Sequence, residues 1–444
     1  MIPFAVFGCR LNKYDGSSIE IRALEMSPSF FTFRLKRNIY EEVDLSKAEL
    51  VFYRWDKRSY EKITVMDFTA SVIKREKFFD IIRFEIVDPN YKEYAVRLSK
   101  EYSEYIDIKL NASESELSKL LTGYSVDEDK IAEDFETQRK VFYNQIEPQK
   151  FKSSKFHEYG LCLCRRSVWE RYLSKSIDDF SRDYFERYAP SNIDFSEVKL
   201  THLYVGNDFC SLLYPNEDVL NEIIKKAEKE NVKCVFVFSM MSQQNIELYK
   251  NRLDILKRYT ENRKYKFEIV VNDLGMMKLI KEKYAQNFEL TAGILLSRRR
   301  KDSRINWKRD IDKENLKSTS LNSREYTNIL QEMAIKRLSY EYAGYRPEIN
   351  CEFMSTLYLP YYQTNTSSFC TTYAQEMNGS RGKQMNVMDC EEFCEDKLFL
   401  YPDDLRMVGR YNSLFGFSEE ILTENDILDY FSDNGKGRIV FNFM

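Results

Sequence analysis

Three cysteines in the last quarter of the chain have the types and spacing of metal ligands, in the stretch SSFCTTYAQEMNGSRGKQMNVMDCEEFCED after the predicted strand STLYLPYY. Cys390 and Cys394 are four residues apart, and on a helix this spacing places two side chains on one face with Cβ atoms about 5–6 Å apart. Nineteen residues separate Cys370 from Cys390, and this polar loop can bring Cys370 back to the pair. The three thiols predict the closing half of a thiolate metal site, whose fourth ligand comes from elsewhere.

The cysteine and histidine counts restrict the chemistry further. Nine cysteines are an odd number in a long chain without an export signal, which favours metal binding or buried thiols over a disulfide framework. Only His157 and His202 are present, too few for a histidine-based zinc site or for a Ser-His-Asp or Cys-His mechanism. Cys162 and Cys164 lie two residues apart in the apolar segment YGLCLC, and we interpret them as small hydrophobic residues.

Length and composition predict a soluble protein of two or three domains. At 444 residues the chain exceeds what one core usually fills, and its 43% hydrophobic content is ample for packed cores. The net charge of -4 gives no general reason to expect binding to nucleic acids or membranes. The sequence has no run of about 18 apolar residues, so we expect no membrane insertion and a cytoplasmic location.

Residues 1–110 are predicted to form a mostly-β domain, a small antiparallel barrel or sandwich. Its strands are rich in aromatic and β-branched residues, and turn residues such as Asp88-Pro89-Asn90 lie beside some of them. The segment MSPSFFTF resembles the start of PilZ-type barrels, which bind cyclic dinucleotides, but no paired-arginine motif precedes it, so nucleotide binding is not implied. The predicted strands are IEIRALEM, SFFTFRLKR, AELVFYRW, FFDIIRFEIV and YAVRL.

The rest of the chain divides into three predicted segments. Residues 111–197 are acidic and helical in pattern, which indicates a helical connector. From 198 to 418 apolar strands alternate with amphipathic helices, a pattern typical of a parallel sheet with helices outside it. We therefore predict an α/β fold with a TIM-like parallel β/α barrel, complete or partial, after the N-terminal β domain. Residues 419–444 are predicted to add a C-terminal helix and strand.

The barrel prediction indicates where a fourth ligand lies. In such barrels the working residues are in loops after the carboxyl ends of the strands. Cys210 follows the strand VKLTHLYVG and is the expected fourth ligand. An all-thiolate zinc site usually has a C-x2-C knuckle, and none occurs in this sequence, so an iron–sulfur cluster is preferred and zinc is the alternative.

Other polar residues near the predicted strands are candidates for substrate binding. Asn272 and Asp273 follow EIVV, where they either cap the next helix or contact substrate. Arg298 and Arg304 belong to a basic run after FELTAGILL that is either a solvated loop or a clamp for a carboxylate or phosphate. Glu348, in the next predicted strand, either pairs with nearby arginines or acts as an acid or base. No residue is identified as catalytic.

Five segments in order resemble the bacterial collagenase-like peptidase family known as U thirty-two: LYVGNDFC, EIVVNDLGMMKLI, TAGILLSRRRKDSR, YRPEINCEFMSTLYLPYY and the late cysteine group. They are most similar to its branch of iron–sulfur proteins of oxygen-independent ubiquinone hydroxylation, whose relatives hydroxylate RNA. The resemblance covers about 198–418. It implies that Cys210, Cys370, Cys390 and Cys394 hold a [4Fe-4S] cluster.

The resemblance leaves three functions open. The first is hydroxylation of RNA or a small aromatic molecule without oxygen, with a shikimate-pathway acid such as prephenate as oxygen donor, so that RNA or a small anionic aromatic acid is the expected partner. The second is the peptidase activity of the family name, which needs an activated nucleophile or a metal-bound water, and no such constellation or HExxH motif occurs. The third is a non-catalytic, cluster-bearing partner of another family member.

Overall fold

The protein is described here from a computed structural model. It describes residues 6–57, 59–66, 68–124, 128–151, 155–261, 266–303, 316–379, 387–402, 405–434 and 437–444. Two compact units divide the chain, Met1–Asp127 and Glu128–Met444. The first unit extends past the predicted boundary at residue 110, because residues of the next helix, Leu120 and Leu121, pack on its core.

The first unit is built on a seven-stranded antiparallel sheet, which confirms the predicted mostly-β region. Its elements are β1 (Phe7–Lys13), β2 (Ser18–Met26), β3 (Phe30–Lys36), β4 (Val43–Arg54), β5 (Ser59–Val65), β6 (Phe68–Arg75), β7 (Phe79–Ile86), α1 (Pro89–Asn111) and α2 (Glu114–Thr122). The strand order is β5-β4-β1-β2-β3-β7-β6. Phe31, Phe33, Phe52 and Phe84 are fully buried in its core, because alternation along each strand places their rings on the covered face.

One predicted strand, YAVRL, is part of helix α1. Asp88 caps this helix by accepting a hydrogen bond at 2.7 Å from the backbone N–H two residues further on, and Pro89 occupies the first turn. Tyr91 and Ala95 then recur at helical spacing and are buried against the sheet. The strand prediction is wrong because the pair Asp88-Pro89 is common to turns and helix starts.

The second unit is built on a closed barrel of parallel strands. The barrel strands are β9 (Glu158–Leu163), β11 (His202–Gly206), β12 (Lys233–Val237), β13 (Phe267–Val271), β14 (Phe288–Ala292), β15 (Ile335–Glu341), β16 (Met354–Leu359) and β21 (Gly437–Phe441). Their order is β11-β12-β13-β14-β15-β16-β21-β9. Every residue of β11 is buried, as expected for a parallel strand covered on both faces. The predicted TIM-like barrel is confirmed, and it is complete.

The barrel draws on more of the chain than the range 198–418. Its closing pair is β9 with β21, where Gly160 lies opposite Val440. Strand β9 lies in the segment 111–197, and β21 lies in the segment 419–444. The two strands pair with each other although most of the second unit's sequence lies between them. No local sequence pattern therefore marks either one as part of the barrel.

The second unit also contains helices, some of which contact barrel strands. They are α3 (Glu128–Tyr143), α4 (Arg166–Ser174), α5 (Ile177–Tyr188), α6 (Glu217–Lys229), α7 (Ile246–Thr260), α8 (Leu274–Lys283), α9 (Arg324–Glu332), α10 (Thr371–Asn378), α11 (Glu420–Thr423) and α12 (Asn425–Asn434). Of these, α4, α6, α8 and α9 contact barrel strands. In α6 the buried residues Leu220, Ile223, Ile224 and Ala227 recur at helical spacing. Within the described ranges, every helix is too short or too polar to cross a membrane.

A small antiparallel sheet follows the barrel strand β16 directly. Its strands are β17 (Tyr361–Thr366), β18 (Phe399–Leu400), β19 (Met407–Arg410) and β20 (Ser413–Phe417). Their order is β17-β20-β19-β18. A separate parallel pair is formed by β8 (Gln149–Lys150) and β10 (Ile193–Asp194). Because β17 begins where β16 ends, the small sheet adjoins the carboxyl end of the barrel.

Candidate metal centre

The four cysteines predicted as ligands line one cavity of about 1020 Å³. Cys210 comes from the loop after the barrel strand β11, whereas Cys370, Cys390 and Cys394 come from segments that flank strands of the small sheet. Cys394 is buried, and the other three are half-buried. The barrel therefore supplies one thiol, and the small sheet supplies three.

The loop that carries Cys210 is a tight turn. Gly206 has a φ of 109°, and a Cβ at this position would lie 2.4 Å from the Val237 carbonyl oxygen, so glycine is required. The Asn207 side-chain oxygen then accepts hydrogen bonds from the backbone N–H groups of Phe209 at 2.8 Å and Cys210 at 3.1 Å. These bonds fix the backbone of Cys210 at the edge of the cavity.

Cys370 is the N-cap residue of helix α10. Its sulfur accepts a hydrogen bond from the Tyr373 backbone N–H, with 3.5 Å between the two atoms. The sulfur also lies 3.4 Å from the Tyr411 carbonyl oxygen, in the turn between β19 and β20. A position at a helix N-terminus favours the thiolate form, because backbone N–H groups and the helix dipole stabilise negative charge there.

Cys390 and Cys394 do not lie on a common helix, contrary to the spacing argument. Glu392 adopts a left-handed conformation with a φ of 61°, and only Phe393–Glu395 forms a single 3-10 turn. The Glu392 backbone N–H donates to the Cys390 sulfur at 3.3 Å. Both thiols reach the same cavity because the chain turns between them, not because they stack along a helix.

The first two residues of helix α4 hold the turn between Cys390 and Cys394 in place. Arg166 forms an ion pair with Glu392 at 3.0 Å. The Ser167 hydroxyl donates to the Glu395 carboxylate at 2.7 Å, and the Ser167 backbone N–H donates to the same carboxylate at 3.2 Å. These contacts were not predicted from the sequence, although the segment CRRS after an apolar run was the available signal.

Arg410, at the end of β19, holds the same turn from the other side. Its guanidinium donates to the carbonyl oxygen of Cys394 at 3.0 Å and to that of Glu395 at 2.7 Å. The side chain is buried, so these hydrogen bonds form away from water. Arg410 was not predicted from the sequence either, because it is separated from Cys394 along the chain and the two residues meet only in the fold.

Burial makes three thiols of this site, those of Cys210, Cys370 and Cys394, weak acids. It raises the pKa of Cys210 to about 11, and it raises the pKa of Cys370 and, more strongly, that of Cys394. Charge on the other three thiolates adds to the effect on Cys394. Thiols this close together ionise together when a cation binds among them, because the cation compensates their repulsion.

The donor set fits an iron–sulfur cluster. All four donors are cysteine thiols, and backbone N–H groups already point at the sulfurs of Cys370 and Cys390. In the part of the chain that the structure describes, no group of three or more His, Cys, Asp or Glu side chains is placed to hold a metal ion. That finding concerns single ions, whereas a four-iron cluster is wider and its ligands stand further apart.

Asp273 caps helix α8, the first of its two predicted roles. One carboxylate oxygen accepts the Met276 backbone N–H at 2.8 Å, and the other accepts the Met241 backbone N–H at 2.7 Å. Met241 lines the thiol cavity. Asp273 therefore connects the start of α8 to one wall of the cavity without reaching into it.

Asn272 is buried in the barrel mouth. Its amide donates to a carboxylate oxygen of Asp208 and to the Phe238 carbonyl oxygen, both at 2.9 Å, and accepts the Leu295 backbone N–H at 3.2 Å. Burial raises the pKa of Asp208 to about 7, so this carboxyl is only partly ionised at neutral pH. Asn272 thus joins three loops that follow barrel strands.

The basic run after β14 divides between surface and interior. Arg298 is exposed, and Arg304 lies outside the described residues. Arg299 and Lys301 point inward: Arg299 donates to the Glu341 carbonyl oxygen, and Lys301 forms a buried ion pair with the Glu341 carboxylate. Of the described residues of this run, Arg299 and Lys301 point inward, whereas Arg298, predicted as part of a clamp, is exposed.

Glu348 is exposed in the loop between β15 and β16, not in a strand as predicted. Its backbone N–H donates to the Lys317 carbonyl oxygen at 2.8 Å. Strand β16 begins only at Met354, because the Asn350 side chain accepts the Glu352 backbone N–H at 3.1 Å and forms a turn before it.

Both histidines lie away from the thiol cavity. His202 is at the amino end of β11, and burial lowers its pKa to about 2. His157 is exposed just before β9. Cys162 packs into the barrel interior, as expected for a small hydrophobic residue, and the Cys164 sulfur lies 3.4 Å from the Tyr411 hydroxyl.

Comparisons with known proteins give only distant structural similarities. No family model matches the chain, and no curated protein matches its sequence. The chain is similar in structure to the U32 peptidase Mk0906, with a TM-score of 0.31 and 9% identity over 66% of this chain and 95% of that chain.

Two further similarities cover a smaller part of the chain. One is to the PilZ domain of YcgR from Escherichia coli with c-di-GMP, with a TM-score of 0.17 and 15% identity over 24% of this chain and 91% of that chain. The other is to MrkH of K. pneumonia in its apo state, with a TM-score of 0.17 and 12% identity over 22% of this chain and 49% of that chain. TM-scores this low carry no conclusion about function.

Proposed function

We propose that Cys210, Cys370, Cys390 and Cys394 hold a [4Fe-4S] cluster at the carboxyl end of the barrel, in an enzyme that hydroxylates RNA or a small aromatic molecule without oxygen. The observation that carries the proposal is that four cysteines from distant segments line one cavity. When bound, the cluster supplies one-electron chemistry. Hydroxylation is the reaction implied by the sequence resemblance to the iron–sulfur branch of the U thirty-two family.

The protein's own groups bind and orient the four sulfurs. The N-cap position of Cys370 and the hydrogen bond from Glu392 to Cys390 bring backbone N–H groups to two of them. Asn207 fixes the backbone of Cys210, and Arg410 fixes that of Cys394. Hydrogen bonds and burial of this kind are the means by which proteins adjust the potential of a cluster.

The cavity has room for a substrate beside the thiols. Its volume of about 1020 Å³ is at the upper end of the range for small-molecule sites. Aromatic and thioether side chains, which pack well against flat rings, form part of the wall. These are Phe209, Tyr373, Phe393, Tyr411, Met240, Met241 and Met388. A flat base or a small aromatic ring therefore suits this cavity.

The peptidase alternative has less support. Hydrolysis of a peptide needs a nucleophile activated by a base, or a metal-bound water. The described lining of the cavity includes no histidine, and His202 is at the opposite end of the barrel. Burial raises the pKa of Cys210 and Cys394, which opposes their use as nucleophiles.

The test is made in two stages on the full chain. Protein purified without oxygen is expected to be brown, with an absorbance shoulder near about 400 nm that bleaches on reduction, because thiolate-to-iron charge transfer gives this signature. A colourless protein that carries stoichiometric zinc would refute the proposal. RNA and small aromatic metabolites from a deletion strain are then screened by mass for a lost hydroxyl group, which wild-type protein should restore. If the deletion strain instead lacks a peptide-cleavage activity that wild-type protein restores, and hydroxylation does not change, the peptidase alternative is favoured.

A further inference from the structure

Arg410 is a buried cation beside the candidate cluster site. Its side chain is only 4% exposed, and it ends the strand β19 of the small sheet. Burial of a guanidinium group is unfavourable unless hydrogen bonds and a negative charge compensate it. The contacts of Arg410 therefore indicate what the group is there to bind.

The hydrogen bonds of Arg410 go to the turn that carries a predicted ligand. Nε donates to the Cys394 carbonyl oxygen at 3.0 Å, and one Nη donates to the Glu395 carbonyl oxygen at 2.7 Å. The planar fork of the guanidinium matches two successive carbonyl groups, a geometry that lysine does not reproduce. These bonds fix the orientation of Cys394.

The charge of Arg410 has no carboxylate partner at ion-pair distance among the described residues. Arg438, at the other end of the barrel, is equally buried but forms ion pairs with Glu158 at 3.0 Å and Glu268 at 2.9 Å. Arg165, another buried cation, interacts electrostatically with Arg410 and adds to the free-energy cost of burying the Arg410 charge. The Cys394 thiolate is a source of compensating negative charge.

We propose that Arg410 is a positioning residue that orients the Cys394 thiolate and raises the reduction potential of the bound cluster. This inference rests on the proposed function. A [4Fe-4S] cluster with four thiolate ligands carries two net negative charges when oxidised and three after it gains one electron. A buried positive charge stabilises the more negative, reduced form, since few water molecules are present to screen it. The midpoint potential should therefore be higher with Arg410 than without it.

The experiment compares four full-length proteins reconstituted with ferrous iron and sulfide under anaerobic conditions. They are the wild type, Arg410→Gln, Arg410→Lys and Arg337→Gln. Arg410→Lys keeps the positive charge but lacks the planar guanidinium group that donates to two successive carbonyl groups. The fourth removes a similarly buried arginine at the amino end of the barrel, where it donates to the Ser355 carbonyl oxygen at 2.6 Å. Iron content and the midpoint potential, from a dithionite titration followed by electron paramagnetic resonance, are measured for each.

The expected results separate charge from orientation. In Arg410→Gln the ratio of reduced to oxidised cluster at a fixed potential should fall about tenfold, which is a shift of about 59 mV to lower potential. Arg410→Lys should bind less iron, but its cluster should keep a potential close to that of the wild type. Arg337→Gln should match the wild type. If the glutamine variant does not fold, the lysine variant decides the question by the same two measurements.

Two results would overturn the inference while leaving the proposed function intact. One is a loaded Arg410→Gln protein whose midpoint potential equals that of the wild type. The other is an Arg410→Lys protein with full iron content and a potential shifted tenfold or more. A wild-type protein that takes up no iron and sulfide would instead refute the proposed function and this inference together.

Discussion

The two ends of the barrel have cavities of similar volume that are lined by chemically different side chains. The cavity at the carboxyl ends of the strands, about 1020 Å³, is lined by the four thiols. The cavity at the amino ends, about 1090 Å³, is lined by charged side chains that bind one another. There Arg438 donates to Glu268 at 2.9 Å, to Glu158 at 3.0 Å and to the Tyr204 hydroxyl at 2.8 Å.

The difference shows that cavity volume does not identify a functional site in this protein. At the amino end the positive and negative groups compensate each other, so the network stabilises the barrel by itself. At the carboxyl end burial raises the pKa of Cys210, Cys370 and Cys394. Arg410 has no carboxylate partner at ion-pair distance among the described residues. Of the two ends, only the carboxyl end has a buried cation whose charge a bound, negatively charged cofactor would compensate.

The largest effect expected from this comparison is loss of the cofactor in Cys394→Ser. Serine is a poor ligand for iron, so iron content after reconstitution should fall at least about 10–100-fold, no less than the loss typical for outer-shell residues of metal sites. The measurement is iron and acid-labile sulfide per folded protein, together with the absorbance of the cluster.

The matched control is Cys234→Ser, because Cys234 is also a buried cysteine but lines the cavity at the amino end. Its iron content should equal that of the wild type. If Cys394→Ser and Cys234→Ser hold equal amounts of iron, the assignment of the site to the carboxyl end is wrong.

The second prediction concerns the network of ion pairs at the amino end of the barrel, which a substitution of Arg438 disrupts. Arg438→Met removes the buried cation of Glu268 and leaves Glu158 paired with Arg337 at 3.2 Å. The loss of the cation from Glu268 should lower the free energy of unfolding by about 3 kcal/mol. Iron content per folded protein should not change, since the four thiols are at the other end. The free energy is measured by urea unfolding.

Arg258→Met is the control for the loss of a positive charge. Arg258 forms an ion pair with Glu217 at 2.6 Å, but both side chains are about half exposed, at 61% and 49%. Loss of this surface pair should cost less than about 1 kcal/mol. Equal destabilisation by the two variants would show that the amino-end network is not a stabilising unit.

The parts of this fold that follow local patterns could be predicted from the sequence. The alternation of apolar strands and amphipathic helices after residue 198 gave the barrel, because each strand and helix carries its own periodicity. Both β9 and β21 lie in segments predicted to contain a strand, but their place in the barrel was not predicted, since they close it by pairing residues as distant as Gly160 and Val440. The cap formed by Asp88 was also misassigned, because its helix start resembles a turn.

The candidate site divides in the same way. Cysteine is a rare residue with few roles, so the four thiols could be selected by type, and the position of Cys210 after a predicted strand placed it at the barrel mouth. Arg410 and Ser167 could not be selected, because arginine and serine are common and their contacts with the 390–396 turn exist only in the fold. Arg298 was chosen from a basic run whose inward members, among the described residues, are Arg299 and Lys301.

The third and smallest effect concerns the pH dependence of stability at the amino end. His202 is 2% exposed, and its pKa is lowered to about 2 by burial, with Arg438 and Lys233 adding to the shift. The folded protein therefore keeps this imidazole neutral in the physiological range, while the unfolded chain protonates it below about pH 6.5. Because the unfolded state binds the extra proton, stability falls as pH decreases through that value.

Replacing His202 with glutamine should remove this component of the pH dependence. Between about pH 7.5 and pH 5 the wild type should lose about 2 kcal/mol more of its unfolding free energy than His202→Gln does, because one additional proton is taken up on unfolding. Urea unfolding at the two pH values measures the difference, and the exposed His157, replaced in the same way, is the control and should behave as the wild type. Equal losses in wild type and His202→Gln would mean that His202 is protonated in the folded barrel, and the amino end would then hold a titrating group where we describe a closed network of ion pairs.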